Sequence, residues 1–243
     1  DNCTNAFYIL LRALKYPYGS EIIVPSFSYV GMVNAILLNK LVPVFCDVSY
    51  ETCNVTYDMI KPLISLKTRA ALILHYSGRS CNMTDLKDLF IPIIEDCAHA
   101  VASKFSNQSC GTFGLAGLFS FDSMKNLASC DGGGICSADK KLLDKVRDLR
   151  YCGISKSGLS NSSANSKWWK YKISEPSLRF ITSDVSASIC LSQLKRLSEL
   201  QQKRYKIVDY YNRHLIDIPN IQLTPLGFDH HSFFSYPIKV LLN

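Results

Sequence analysis

The chain has 243 residues, 47% of them hydrophobic and 19% charged, which supplies ample apolar material for one large buried core and excludes a disordered chain. Lysine and arginine number 27 against 20 aspartates and glutamates, a formal +7. The basic residues are scattered singly and form no run that would follow a phosphate backbone, so nucleic acid is not an expected partner. The longest apolar stretch, 31–45, is broken by Asn34, Asn39 and Lys40 and falls short of the ~20 residues that cross a bilayer, so no membrane span is expected.

The ten cysteines (3, 46, 53, 81, 97, 110, 130, 136, 152 and 190) stand singly among apolar residues, without a CxxC pair or zinc-like spacing. Free, mostly buried thiols and a reducing cytoplasmic location are expected. Five N-x-S/T sequons, at Asn2, Asn54, Asn82, Asn107 and Asn161, would matter only in a secreted protein. The opening segment lacks a cationic leader and a cleavage site, and it begins without Met, which points to a natural N-terminus missing upstream.

Residues 4–16 carry Ala6, Ile9, Leu10, Ala13 and Leu14 at helical spacing, followed by the breakers Pro17 and Gly19 and the apolar run Glu21–Pro25. The alternation continues with a helix near 30–39, a strand at Val42–Cys46, a helix near 57–65 and a strand at Ala70–His75. A helix at 84–90, a strand at 92–95, short strands at Gly114–Phe121 and Gly133–Ser137, and a helix near 139–150 complete it. Such alternation predicts an α/β fold whose sheet is mostly parallel. Between Gly153 and Ser177 the composition turns to Ser, Asn, Lys and Trp, the chemistry of an exposed loop. An amphipathic helix from Ser183 to about His214, bent or broken near 196–200, leads to a strand-like segment at Ser235–Leu242.

Two stretches carry chemistry. In Ile93–Ala100 an apolar strand ends in Glu95 and Asp96, and His99 follows. The ligand crevice of open α/β sheets lies beyond the carboxyl ends of the strands, so Asp96 and His99 would face it; equally, an acid at a strand end can be a helix N-cap. In Gly117–Gly134 a strand runs into a polar turn holding Lys125 and then three glycines. A lone lysine is by default a surface charge.

The company of these residues changes that reading. Cys3-Thr-Asn-Ala6, Glu21-Ile-Ile-Val-Pro-Ser-Phe-Ser-Tyr29, Pro43-Val-Phe-Cys-Asp47, Thr68, His75-Tyr-Ser-Gly78, Glu95-Asp-Cys-Ala-His-Ala100, Phe119-Ser-Phe-Asp-Ser-Met-Lys-Asn-Leu127, Asp131-Gly-Gly133, Arg150-Tyr-Cys-Gly153 and Gln193-Leu-Lys-Arg-Leu197 occur in order across nearly the whole chain. In this the chain resembles the DegT/DnrJ/EryC1/StrS sugar aminotransferases, pyridoxal-phosphate enzymes of the type I, aspartate-aminotransferase fold. The resemblance implies a three-layer large domain over 1–200, then a linking helix and an incomplete small domain over 201–243.

The resemblance also implies roles. Lys125 matches the lysine whose amine condenses with the cofactor aldehyde and later carries a proton. Asp96 matches the partner of the pyridinium nitrogen, and His99 the neighbour of the cofactor 3'-oxygen. Tyr29 matches the aromatic stacked on the ring, although an aromatic after a strand is also ordinary core. Thr4, with the amides around Cys3 at the first helix, and the Ser120 hydroxyl match the phosphate cradle, with Asn126 a further candidate. Arg179 aligns with the segment that reaches the phosphate from a partner subunit, as a charge-assisted ligand or as a surface arginine. The family pattern departs at Cys3, Cys130-Asp131 and Asp122.

Implied partners are a keto-sugar, nucleotide-linked, an amino donor such as glutamate or glutamine, and a second copy in a homodimer with shared active sites; no metal is implied. Two rivals stay open: a dehydratase or lyase on the same fold, against which Lys125 argues because the family's dehydratases carry histidine there, and a non-catalytic relative acting as a regulator or assembly partner.

Overall fold

The computed structural model describes residues 1–155, 171–225 and 230–241. Helix α1 (Cys3–Leu14) begins at Asn2, whose side chain accepts from the Asn5 N–H, and ends where Lys15 turns left-handed. The chain continues through β1 (Glu21–Pro25), α2 (Val30–Leu38), β2 (Val42–Cys46), α3 (Tyr57–Ile60), β3 (Thr68–Leu74), α4 (Met83–Leu86) and β4 (Ile93–Asp96). A small hairpin, β5 (Lys104–Phe105) with β6 (Gln108–Ser109), precedes β7 (Ala116–Ser120), β8 (Gly133–Cys136) and α5 (Lys140–Leu149). Helices α6 (Asp184–Lys195) and α7 (Leu197–Leu215) lead to β9 (Ile221–Leu223), which pairs antiparallel with β10 (Ile238–Val240).

The central sheet has six strands in the order β2-β1-β3-β4-β7-β8, all parallel except β8. This is the mostly parallel α/β arrangement expected from the alternating elements. Successive side chains of a strand point to opposite faces, and both faces here are covered. Ile22, Val24, Leu72, Ile94 and Leu118 face α1, α2 and α5, where Phe7 and Leu10 are fully buried. Ile23, Ala71, Ile73 and Ile93 face the other layer with Ile60 and Leu86. Each fully buried large apolar side chain contributes about 1.5–3 kcal/mol.

Two segments differ from the sequence expectation. The helix expected over 57–65 is a single turn, because Pro62 has no N–H to donate; a tighter turn, Lys61–Leu63, follows it. The C-terminal strand starts only at Ile238, after Pro237. Most of the loop expected between Gly153 and Ser177 lies, over 156–170, outside the described residues. The long helix does break at Arg196. Helix α6 has no buried side chain. No helix among the described residues is long and apolar enough to cross a membrane, and all ten cysteines are unpaired.

Glu95 ties β4 to the turn before β7. Its carboxylate, fully buried, accepts from the N–H groups of Gly111 (2.6 Å), Phe113 (2.7 Å) and Gly114 (2.8 Å), and meets His75 Nε2 at 3.1 Å. The Cys81 N–H donates to His75 Nδ1 at 3.1 Å, so the ring keeps its proton on Nε2 and donates it to Glu95. Burial alone would raise the Glu95 carboxyl, but His75 and the turn amides outweigh it and hold it below 4.5. Glu95→Ala leaves these buried donors without an acceptor and is expected to lower the unfolding free energy by about 3–5 kcal/mol in urea titrations. Because the folded carboxyl is depressed, its contribution is present above pH 4.5 and disappears as pH falls through the lower folded value, so the gap between wild type and Glu95→Ala should narrow there.

Candidate active site

A cavity of about 550 Å3 opens beyond the carboxyl ends of β4 and β7, where the first turns of α1 and α2 meet them. Its size falls in the ~300–1,000 Å3 range of ligand pockets. Cys3, Thr4, Tyr29, Asp96, His99, Ser120 and Lys125 all line it, so segments far apart in the chain converge on one space. Asn126 and Arg179 do not line it. Asn126 is buried beside it, and its amide donates to the Ser232 carbonyl instead. Arg179 is exposed, bridged to Tyr151 with its guanidinium 5.9 Å from that ring.

One end of the cavity suits an anion. The first-turn amides of α1 have no carbonyl of their own helix to donate to, and the helix places partial positive charge there. The hydroxyls of Thr4 and Ser120 form no hydrogen bond among the described residues. Two glycines make this end possible. A Cβ on Gly133 would stand 2.3 Å from the Asn2 carbonyl carbon, so only glycine lets β8 touch the start of α1. A Cβ on Gly31 would meet the Thr4 hydroxyl at 2.6 Å and the Tyr29 ring at 2.7 Å. Tyr29 caps the start of α2 and remains 65% exposed, with its ring at the cavity mouth.

The other end holds the titratable groups. Asp96 is buried; one oxygen accepts from the Ala98 N–H at 2.9 Å, and the other has no partner among the described residues. Burial pushes its carboxyl up, against the pull of the Ala98 N–H and the Lys125 ammonium. Lys125 sits in a turn closed by its own N–H to the Asp122 carbonyl (2.9 Å) and by the Asp122 side chain accepting from the Met124 N–H (2.9 Å). Burial lowers its amine, while Asp96, Cys3 and Asp122 pull the other way. His99 accepts the Ser77 N–H at Nδ1 (3.3 Å), which leaves Nε2 as its donor. Burial and the Lys125 charge depress the ring to about 3, so it is neutral at ordinary pH. Cys3 is pushed well up by burial and by Asp96 and stays a thiol.

The sequence reading missed Phe234. It arrives on a strap, 230–235, and lines the cavity, its ring stacked on His99 at 4.0 Å and 7°. The only available signal was an aromatic in an apolar tail, which distinguishes nothing. It also missed the donor set of Glu95. His75, Glu95 and Cys97 bring candidate metal-ligand atoms within 4.8 Å of one another. Both His75 nitrogens and both Glu95 oxygens are already engaged in hydrogen bonds, so this cluster offers no cation site.

Because Asp96 raises the Lys125 amine against the effect of burial, Asp96→Asn should lower it further. The pH profile of Lys125 acylation, followed by mass spectrometry, should move to lower pH in this variant. An unmoved profile would show that the two groups do not share a field.

A sequence model of the DegT/DnrJ/EryC1/StrS aminotransferase family matches residues 1–242. The chain is 36% identical over 233 residues to the dTDP-4-dehydro-2,3,6-trideoxy-D-glucose 4-aminotransferase of Saccharopolyspora spinosa, covering 94% of this chain and 60% of that protein. The crystal structure of the aminotransferase TlmJ from Streptoalloteichus hindustanus matches with a TM-score of 0.90 at 32% identity, over 98% of this chain and 64% of that one. Helicobacter pylori PseC, an aminotransferase involved in the biosynthesis of pseudoaminic acid, matches with a TM-score of 0.88 at 26% identity, over 98% and 63%. The chain thus spans less than two thirds of the length of each of these relatives. With a family match over residues 1–242, the chain belongs to the DegT/DnrJ/EryC1/StrS aminotransferase family.

Proposed function

We propose that this chain is the cofactor-binding part of a pyridoxal-phosphate-dependent aminotransferase that moves an amino group from glutamate or glutamine onto a nucleotide-linked keto-sugar. The observation that carries the reading is the convergence, in one cavity, of a burial-lowered lysine amine, a buried carboxylate with a free oxygen and a helix N-terminus whose Cys3 and Thr4 amides have no partner among the described residues. Relatives named as sugar aminotransferases support the substrate class.

The donors present fit the cofactor. The first turn of α1 with Thr4 and Ser120 would hold the phosphate, the free Asp96 oxygen would accept the ring N–H, His99 Nε2 would donate to the 3'-oxygen, and Tyr29 would cover a ring face. When bound, pyridoxal phosphate supplies an aldehyde that exchanges with amines and a ring that stabilises negative charge on the neighbouring carbon. Asp96 would keep the ring nitrogen protonated, which that stabilisation requires. Lys125 Nζ would hold the aldehyde at rest and, when free, would serve as the base and acid that carries a proton to and from the substrate carbon. Its lowered affinity for protons suits it to both tasks. The dehydratase reading conflicts with Lys125, and a non-catalytic role leaves the unpaired donors of the cavity without a use.

The active unit is a homodimer. Helix α6 leaves Val185 68% and Leu191 55% exposed, and Tyr29 at the cavity mouth adjoins exposed Phe27 and Val30, an apolar surface that a second copy would cover. Arg179 lies outside the cavity of its own chain, so it would reach a phosphate only across such an interface. The unpaired cysteines favour the cytoplasm.

Three variants of the full-length protein test this reading. Wild type with pyridoxal phosphate should develop an absorbance band that shifts on adding glutamate; Lys125→Ala should keep its fold and lose transamination by roughly a thousandfold or more. Turnover within tenfold of wild type would remove Lys125 from the mechanism. Arg179→Ala should weaken cofactor binding roughly ten- to hundredfold, and Arg179→Asn should recover part of it. Equal dissociation constants for wild type and Arg179→Ala would leave Arg179 as a surface residue.

A further inference from the structure

The strap at 230–235 is anchored at almost every residue. The Lys104 N–H donates to the His230 carbonyl (2.9 Å), the Ser232 N–H to Ser103 Oγ (3.1 Å) and Ser232 Oγ to the His99 carbonyl. The Asn126 amide holds the Ser232 carbonyl, Arg204 of α7 donates to the Phe233 carbonyl (3.1 Å), and the Phe234 N–H donates to the Ser77 carbonyl (3.0 Å). Ser77 Oγ donates to the Ser235 carbonyl at 2.6 Å. Ser77 receives the strap in a left-handed conformation, φ 57°, while its own N–H orients His99. A segment held this way presents Phe234 in one position: flat against His99 at 4.0 Å, with Lys125 Nζ 4.4 Å from the ring centroid.

That position bears on the substrate rather than on the cofactor. On the aminotransferase reading, the carbon that receives the proton would approach Lys125 Nζ, 4.4 Å from the Phe234 ring centroid, which would set the carbons bonded to it beside that ring. Of the other polar side chains in the cavity, some are assigned to the cofactor and others hold a local bond through one oxygen. Asn2 accepts from the Asn5 N–H, Asp122 from the Met124 N–H and Asp131 from the Gly132 N–H. Near Lys125 the lining comprises Phe234 and Met124 beside His99 and Asp122, and Tyr29 also lines the cavity. Resting on the aminotransferase reading, we infer that Phe234 is a specificity-determining residue that selects keto-sugars deoxygenated at a carbon adjoining the ketone. A hydroxyl at that carbon would leave water for an aromatic face that offers it no partner, whereas a methylene packs there without loss.

The test uses full-length holoenzyme and two nucleotide-linked keto-hexoses that differ only by one hydroxyl on the carbon next to the ketone. Two readouts are taken: the kcat/KM ratio for the pair, and the dissociation constants of the two amino-sugar products by calorimetry. Wild type should favour the deoxygenated member roughly 10- to 100-fold in both, the range an apolar pocket achieves against an added hydroxyl. Phe234→Asn should bring both ratios to within about threefold of unity, and Phe234→Leu, which keeps an apolar wall, should retain most of the preference. Thermal unfolding of each variant is compared with wild type; where Phe234→Asn does not fold, Phe234→Gln replaces it with the same expectation. A wild type that shows no preference, or a polar variant that keeps it, overturns the inference. If glutamate fails to shift the absorbance of cofactor-loaded wild type, the aminotransferase reading falls and this one with it; if glutamate shifts it and the preference is missing, only the role of Phe234 falls.

Discussion

Two consecutive carboxylates on β4 point to opposite faces of the sheet, and the site depends on how differently they are satisfied. Glu95 is saturated: three turn amides and the His75 ring donate to it in a fully buried setting. A buried carboxylate with that many donors binds the strand to its neighbours, since moving it would expose several unpaired groups together. Asp96 is left half-satisfied, with one oxygen on the Ala98 N–H and the other open to the cavity. The first acid makes the second usable, because a free oxygen in a low-dielectric cavity is tolerable only on a strand that cannot shift.

The same low dielectric links Asp96, His99 and Lys125. Burial raises the carboxyl, lowers the amine and depresses the imidazole, and each charge acts on the others with little screening. The result is a neutral donor, a carboxylate with spare accepting capacity and an amine that gives up its proton more readily than a surface lysine. These are the properties that general acid–base chemistry at neutral pH requires.

The strap adds a different kind of constraint. Ser77 and Ser235 hydrogen-bond to each other although they are 158 positions apart in the chain. A wall built from such a distant segment stays in place only because its backbone groups are almost all paired. Those pairs position an aromatic ring that the α/β sheet alone would not supply.

Much of this protein follows from local pattern. The alternation of apolar runs and helical faces determines a mostly parallel sheet, because parallel strands need crossovers and each strand must bury both faces. Asp96 and His99 were legible because they lie at or just past a strand end, where an open sheet forms its crevice, whereas Ser120 and Lys125 were assigned through the resemblance to the family. The sequence alone did not separate Asn126 from the cavity lining, nor did it indicate that Gly133 and Gly31 exist to let α1 and α2 approach their neighbours. It was also silent on Glu95 as an anchor and on Phe234 as part of the site. Each of those depends on which groups, distant along the chain, finally lie within hydrogen-bonding or van der Waals distance. Periodicity reports the face a side chain takes on its own element; what stands opposite that face is decided only when the layers pack.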